Sequence, residues 1–288
     1  MFAIVGFVFL LICVFGTFAL EGGSMAALFA ALPFELITIG GAAAGSFLMA
    51  NSLHDAKHTA AGMMKALKGA AFARADYVDL LSLLYLLVRL ANTKGAMAVE
   101  PHIENPTESA IFQRFPKILN NAFARDMICD YMRMVGMNAD DPHQIEDVMA
   151  RELRKTLAEE LHGAHALQNI ADALPALGIV AAVLGVIKTM GHIDQPPAVL
   201  GAMIAGALTG TFLGVLLAYG LAGPIAARMK AVSEEEAKFY EVIRAVLVAH
   251  LHGNAPAVSV ETGRKMVPNP LMPSFRELEE AMQATQVG

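Results

Sequence analysis

The sequence predicts an all-α polytopic membrane protein with four transmembrane helices and a large helical cytoplasmic domain. Three observations carry that prediction. Apolar residues make up 56% of the 288 residues and gather in blocks, each about twenty residues long and so able, at about 1.5 Å per residue, to cross a hydrocarbon core of about 30 Å. The blocks form two pairs, each joined by a short turn. The polar remainder repeats its apolar residues at three- and four-residue spacing almost throughout, which is the period of an amphipathic helix.

Residues 1–50 make the first hairpin. Its opening block, MFAIVGFVFLLICVFGTFAL, has no basic n-region and no A-x-A site, so it reads as a retained helix. EGGSMAA is the turn, and the second block runs from about Leu28 to Ala50. That block holds Pro33, Glu35 and a GGAAAGS run in which Gly41 and Gly45 form a small-xxx-small pair.

Residues 51–170 form a polar helical insert, long enough for a domain outside the membrane. Tyr77, Leu80, Leu81, Leu84, Leu87 and Val88 make one apolar stripe; Ile118, Phe123, Ile128, Met132 and Val135 a second; Ile145, Val148, Leu153, Leu157 and Leu161 a third. Pro101 and Pro106 interrupt the first set, and Asp140, Asp141 and Pro142 separate the later ones.

Residues 171–224 are the second hairpin, IADALPALGIVAAVLGVIKTMG and LGAMIAGALTGTFLGVLLAYGLAGP around a turn with Asp194, Pro196 and Pro197. Gly206, Gly210 and Gly214 recur every four residues with Ala218 continuing the row, and Gly178, Ala182 and Gly185 give the first helix a matching face. Lipid gives apolar helices no hydrophobic reason to associate, so such rows serve close backbone packing. The polar groups of the second helix are Thr209, Thr211 and Tyr219, with Thr211 and Tyr219 about 80° apart on a uniform α-helix. A hydroxyl there either bonds its own i−4 carbonyl or orders water and relays a proton. Pro175 removes a backbone donor just inside the first helix, and Pro224 stops the second; each is a terminator or a hinge.

The tail, residues 225–288, begins with an amphipathic helix, about Ile225 to His250, broken from the membrane helix near Pro224. It ends in a short helix for which Ser274 and Glu277 supply a capping box.

Charge sets orientation. Lys and Arg are absent from the turns 21–27 and 191–197, whereas the insert 52–170 holds thirteen and the tail seven. The excess places both termini, the insert and the tail on the cytoplasmic side of the membrane. The net charge of −6 mixes both signs, leaving no nucleic-acid footprint. Cys13 and Cys129 lie in unlike surroundings, so no disulfide is expected. His54 and His58 stand four apart without a third ligand, so no metal is assigned, and no nucleophile motif or phosphate loop marks an enzyme. Glu35, the only carboxylate within an apolar block, counts to the outer third of its helix and reads as a rim or packing residue. The second hairpin thus has faces suited to a path but no titratable group at mid-depth, and a proton path through it needs a carboxylate from another chain.

The stretches LPALGIVAAVLGVIKTMG, LGAMIAGALTGTFLGVLLAYGLAGP, DLLSLLYLLVRLANTKGAMAVEPHIENP and VETGRKMVPNPLMPSFRELEE resemble the MotA family, the A subunits of bacterial flagellar stators. The resemblance covers nearly the whole chain. It implies five A subunits around two MotB-like B subunits, each with a membrane Asp, and protons as the only coupling ion with no bound cofactor. It implies Ala182, Thr211 and Tyr219 on the ion path beside Thr209, Pro175 and Pro224 as coupling joints, and Glu100 against the rotor protein FliG. The family's basic rotor-facing residue falls on Asn92, which leaves Arg89 and Lys94 as its replacements. Sodium-using relatives carry Thr where this chain has Ala182, and a dehydrated Na⁺ needs several oxygen ligands, so the expected ion is the proton. The alternatives are a TolQ- or ExbB-like energiser of an envelope protein and, from another class, a solute transporter, which would need polar ligands at mid-membrane that this chain lacks.

Overall fold

Helix ends in this chain fall where turn chemistry does, and the long apolar runs between them carry few breakers. The computed structural model describes residues 2–136 and 142–286, so Asp140 and Asp141 of the expected separator lie outside the described residues. The helices are α1 (Phe2–Leu20), α2 (Met25–Ala50), α3 (Leu53–Lys68), α4 (Arg74–Lys94), α5 (Glu100–Glu104), α6 (Pro116–Leu119), α7 (Ala122–Gly136), α8 (Pro142–Met190), α9 (Pro197–Leu217), α10 (Gly223–Leu251), α11 (Pro256–Met266) and α12 (Phe275–Gln286). Three are long and apolar enough to span a membrane, over Leu28–Ala50 and within Pro142–Met190 and Pro197–Leu251, and a shorter apolar helix covers Ile4–Leu20. Four membrane helices are what the hydropathy predicted.

Two compact units result, residues 1–69 with 159–233 and residues 70–158 with 234–288. The sequence changes composition near 50, 170 and 224, whereas the units divide by packing, so α3 groups with the membrane helices. In the membrane unit α2 packs along α9. Leu32, Ile39 and Ala43 provide its inward row, with Ile39 fully buried. Gly41 and Gly45, the small pair of the sequence, have open space where a Cβ would stand. The pair therefore makes no close packing within this chain; it lies on the face turned away from α9. α3 starts at a capping box, with Ser52 Oγ accepting from the Asp55 N–H at 3.2 Å and Asp55 accepting from the Ser52 N–H at 2.9 Å.

The second unit has a core of large side chains. All six residues of the first stripe, from Tyr77 to Val88, are buried at 1% exposure or less against Phe239, Val242, Ile243, Val246 and Leu247 of α10. Phe239 lies edge-on to Tyr77, ring centroids 5.3 Å apart. The second stripe splits over α6 and α7, with Ile118, Ile128 and Met132 buried. The third is corrected at one position: Val148 is 48% exposed and Met149 is fully buried, so the inward row runs from Ile145 by four rather than three.

Three breaks also differ from expectation. α4 ends at Gly95, whose φ of 84° few other residues adopt, six residues before Pro101. Pro101 instead lies in the first turn of α5, where its missing N–H costs nothing. Pro224 stops nothing: a π segment, Ala218–Ala222, precedes it and the helix continues as α10. The terminal capping box forms as read, the Glu277 N–H donating to Ser274 Oγ at 3.2 Å and the Ser274 N–H to Glu277 Oε2 at 3.3 Å.

Candidate functional site

The seam between α8 and α9 is made by backbone meeting backbone. A Cβ on Gly178 would stand 2.8 Å from the carbonyl oxygen of Gly210 and 3.1 Å from the Cα of Gly214; on Gly185 it would stand 2.6 Å from the Cβ of Ala207. Real Cβ atoms do not approach so closely, so glycine is required at both points. The seam is equally close at the turn of Pro175. A Cβ on Gly214 would lie 2.7 Å from the carbonyl oxygen of Leu174, and Pro175 offers no N–H to the carbonyl of Ala171.

Around this seam the expected path residues separate into kinds. Ala182 and Thr211 are half-buried, on the borders of the packed face. Thr209 is 6% exposed, and its hydroxyl donates to the Ala205 carbonyl at 2.9 Å, the local bond that membrane threonines favour. Tyr219 is 71% exposed and belongs to the π segment. The 80° relation to Thr211 assumed a uniform α-helix, and the wider turn interrupts that period. In the π segment the Gly223 N–H reaches back five residues to the Ala218 carbonyl. The register shift lets the helix pass Pro224, which has no N–H to give.

One neighbour was not visible from the sequence. The Oε2 of Glu35 lies where a Cβ on Gly210 would be 2.7 Å away, and it has no hydrogen-bond partner among the described residues. Gly210 is about midway along the apolar run of α9, so Glu35 sits deeper than counting along its own helix places it. Its side chain occupies the gap that the missing side chain of Gly210 leaves.

In the other unit, Arg89, Lys94 and Glu100 are all exposed, as is Asn92. The first two lie at the end of α4 and the third opens α5, with Gly95 and a 3₁₀ turn, Ala96–Ala98, between them. Close by in sequence, Glu104 accepts from Arg133 Nε at 2.7 Å, and Arg133 also meets Asp130 at 2.7 Å. Arg133 is a basic residue that the sequence reading did not single out, because it lies on α7 and reaches α5 only in the fold. Burial lowers the pKa of His102. Ser109 Oγ accepts from the Ile111 and Phe112 N–H groups and therefore donates its own proton to His102 Nδ1, 2.8 Å away. Burial pushes the Cys129 thiol up to about 12, far from the range of a reactive thiolate. The His54 and His58 rings stack at 6.4 Å. Among the described residues the ligand atoms that do cluster, within 4.8 Å, belong to His143, Glu146 and His252, and there Arg244 already pairs with Glu146 at 3.2 Å.

Two family models match the chain, "Motility protein A N-terminal" over residues 4–95 and "MotA/TolQ/ExbB proton channel family" over residues 116–242. Motility protein A of Escherichia coli is 39% identical across 99% of this chain and 96% of its own length. The chain belongs to the MotA family. Chemotaxis protein LafT of Vibrio parahaemolyticus is 32% identical over 96% of each chain. A solved C. jejuni MotAB structure matches with a TM-score of 0.74 at 19% identity, covering 95% of this chain and 98% of that one. The flagellar MotAB stator complex from Bacillus subtilis gives 0.69 at 24%, covering 94% and 98%. These two establish a shared fold. MotA membership makes this a chain of the proton-channel family and not an enzyme.

Proposed function

We propose that the chain is the A subunit of a flagellar stator: with a MotB-like B subunit it conducts protons and converts their descent into torque on FliG of the rotor. The full-length similarity to Motility protein A supports this. Within the molecule one observation carries it. The α8–α9 hairpin closes on itself through its glycines and keeps Ala182 and Thr211 partly accessible, with no carboxylate in α9 or in the apolar part of α8. A surface of this kind accepts a second helix and supplies it a hydroxyl; the nearest carboxylate, Glu35 of α2, has its Oε2 buried against Gly210, so the proton-binding charge at the accessible face comes from that second helix. A B-subunit Asp fits the need, with five A subunits around two B subunits in the bacterial inner membrane and both termini cytoplasmic.

The working step follows from the two prolines. Protonation of the partner's Asp removes a charge beside the hairpin and changes which face of it packs best. Pro175 and the π segment before Pro224 are where α8 and α10 lack regular backbone bonds, so they take up the change in angle. Both helices then run without a break into the unit that carries Arg89, Lys94 and Glu100, whose exposed charges meet the rotor. Ala182 offers no oxygen ligand, which suits a proton and not Na⁺.

The test is Thr211→Val, which keeps shape and removes the hydroxyl. Co-expressed with the B subunit, it should assemble normally yet acidify the cytoplasm more slowly than wild type. Equal acidification and equal swimming would end the relay role. A wild-type complex whose flux follows Na⁺ instead of pH would end the proton reading.

A further inference from the structure

At the end of the membrane unit where α1 begins, α3 ends and α10 starts, a groove of about 450 Å³ opens. That is within the range of sites holding small organic ligands, about 300–1,000 Å³. Ile4, Phe7 and Leu10 form one side and Leu67, Leu221 and Ile225 the other. The space is real at Gly6, where a Cβ would meet nothing within 4 Å. Arg228 is the one charged residue in the lining. Its guanidinium stands 3.6 Å from where a Cβ on Gly69 would be, beside the last turn of α3 with its Lys68; Lys65 of that turn pairs with Glu160 at 3.3 Å.

An apolar channel between membrane helices, with a basic mouth at one end, matches an amphiphile with a long hydrocarbon tail and a negative head. Two of its walls belong to apolar helices, the Ile4–Leu20 helix and the Pro197–Leu251 run, while α3 closes it at the polar end, so lipid tails are the solvent adjoining the apolar part. Basic recesses between membrane helices hold anionic headgroups for this reason. We propose that the groove binds one acyl chain of an anionic phospholipid from the adjoining leaflet, with Arg228 holding its phosphate. The wall of the groove includes Gly220 and Pro224, so the tail lies against the π segment. A filled groove therefore limits how far that joint can bend.

The probe is phosphatidylglycerol against phosphatidylcholine of identical chains, added to the full-length protein purified from membranes with its bound copies and partners. Retained lipid is counted by native mass spectrometry. Wild type should retain phosphatidylglycerol preferentially. Arg228→Gln should lower that retention roughly tenfold, the loss of one charged hydrogen-bonding contact, and Arg228→Lys should recover part of it. Gly6→Leu, which fills the empty space, should lower retention of both lipids while assembly is unchanged. Equal retention of both lipids by wild type, Arg228→Gln and Gly6→Leu overturns the proposal. So does efficient disulfide formation between copies of an Ile4→Cys variant in native membranes, because a second copy of the chain would then cover the groove.

Discussion

The two units solve packing in opposite ways. In the membrane unit the close contacts are Gly178 on Gly210 and Gly214, and Gly185 on Ala207, with almost no side chain between them. In the other unit Phe239, Tyr77 and a run of leucines fill the interior, fully or almost fully buried. The difference follows from the solvent. Water drives large apolar side chains together, whereas lipid is as apolar as leucine and rewards only close contact of atoms. One unit should therefore be sensitive to atoms removed, and the other to atoms added.

Substitutions to alanine test that contrast directly. Phe239→Ala should cost about 3–5 kcal/mol of stability, read as a lower urea midpoint for the full-length protein in detergent; a loss under about 1 kcal/mol would break the comparison. Gly178→Ala adds one carbon against the backbone of α9 and should cost about 1–3 kcal/mol, with proton flux falling alongside. Sensitivity to pH can be read in the second unit. Burial lowers the folded-state pKa of His102 beneath the unfolded value of about 6.5, so the unfolded chain gains a proton that the folded one refuses. Its contribution is complete above about pH 6.5 and declines as pH falls, by at most about 1.4 kcal/mol per pH unit. Comparing midpoints at pH 7.5 and 5.5 for wild type and His102→Gln should show a flatter response in the variant. The smallest effect sharpens the comparison most: Gly41→Ala adds the same carbon into open space and should leave both stability and flux within about 0.5 kcal/mol of wild type.

What was legible in the sequence was whatever depends on one helix at a time. The membrane spans, the Tyr77 stripe and the Ser274–Glu277 cap are local patterns, and the fold contains all of them. The row of Gly206, Gly210 and Gly214 announced close packing, yet Gly41 and Gly45 carry the same signal on a face nothing in this chain covers. Spacing states that a helix can be approached, without stating by what. Glu35 shows the same limit in depth, since its position relative to Gly210 depends on how far α9 is displaced along α2. The π segment was hidden for a further reason: Pro224 signals a missing hydrogen bond, and whether the chain answers by stopping or by shifting register depends on packing beyond it. The stretch VETGRKM is also explained only by the fold. A Cβ on Gly263 would collide with Val246, and the buried Arg264 holds Glu261 with two bonds, at 2.7 and 2.6 Å, and the Pro273 carbonyl at 2.9 Å.

The glycine seam has a consequence for motion inside the membrane unit. A contact made backbone to backbone has no side-chain rotamers to change, and the atoms at Gly178, Gly185 and Gly214 already stand where a single added carbon would collide. Along that seam α8 and α9 therefore shift together or separate outright, with no graded adjustment between the two.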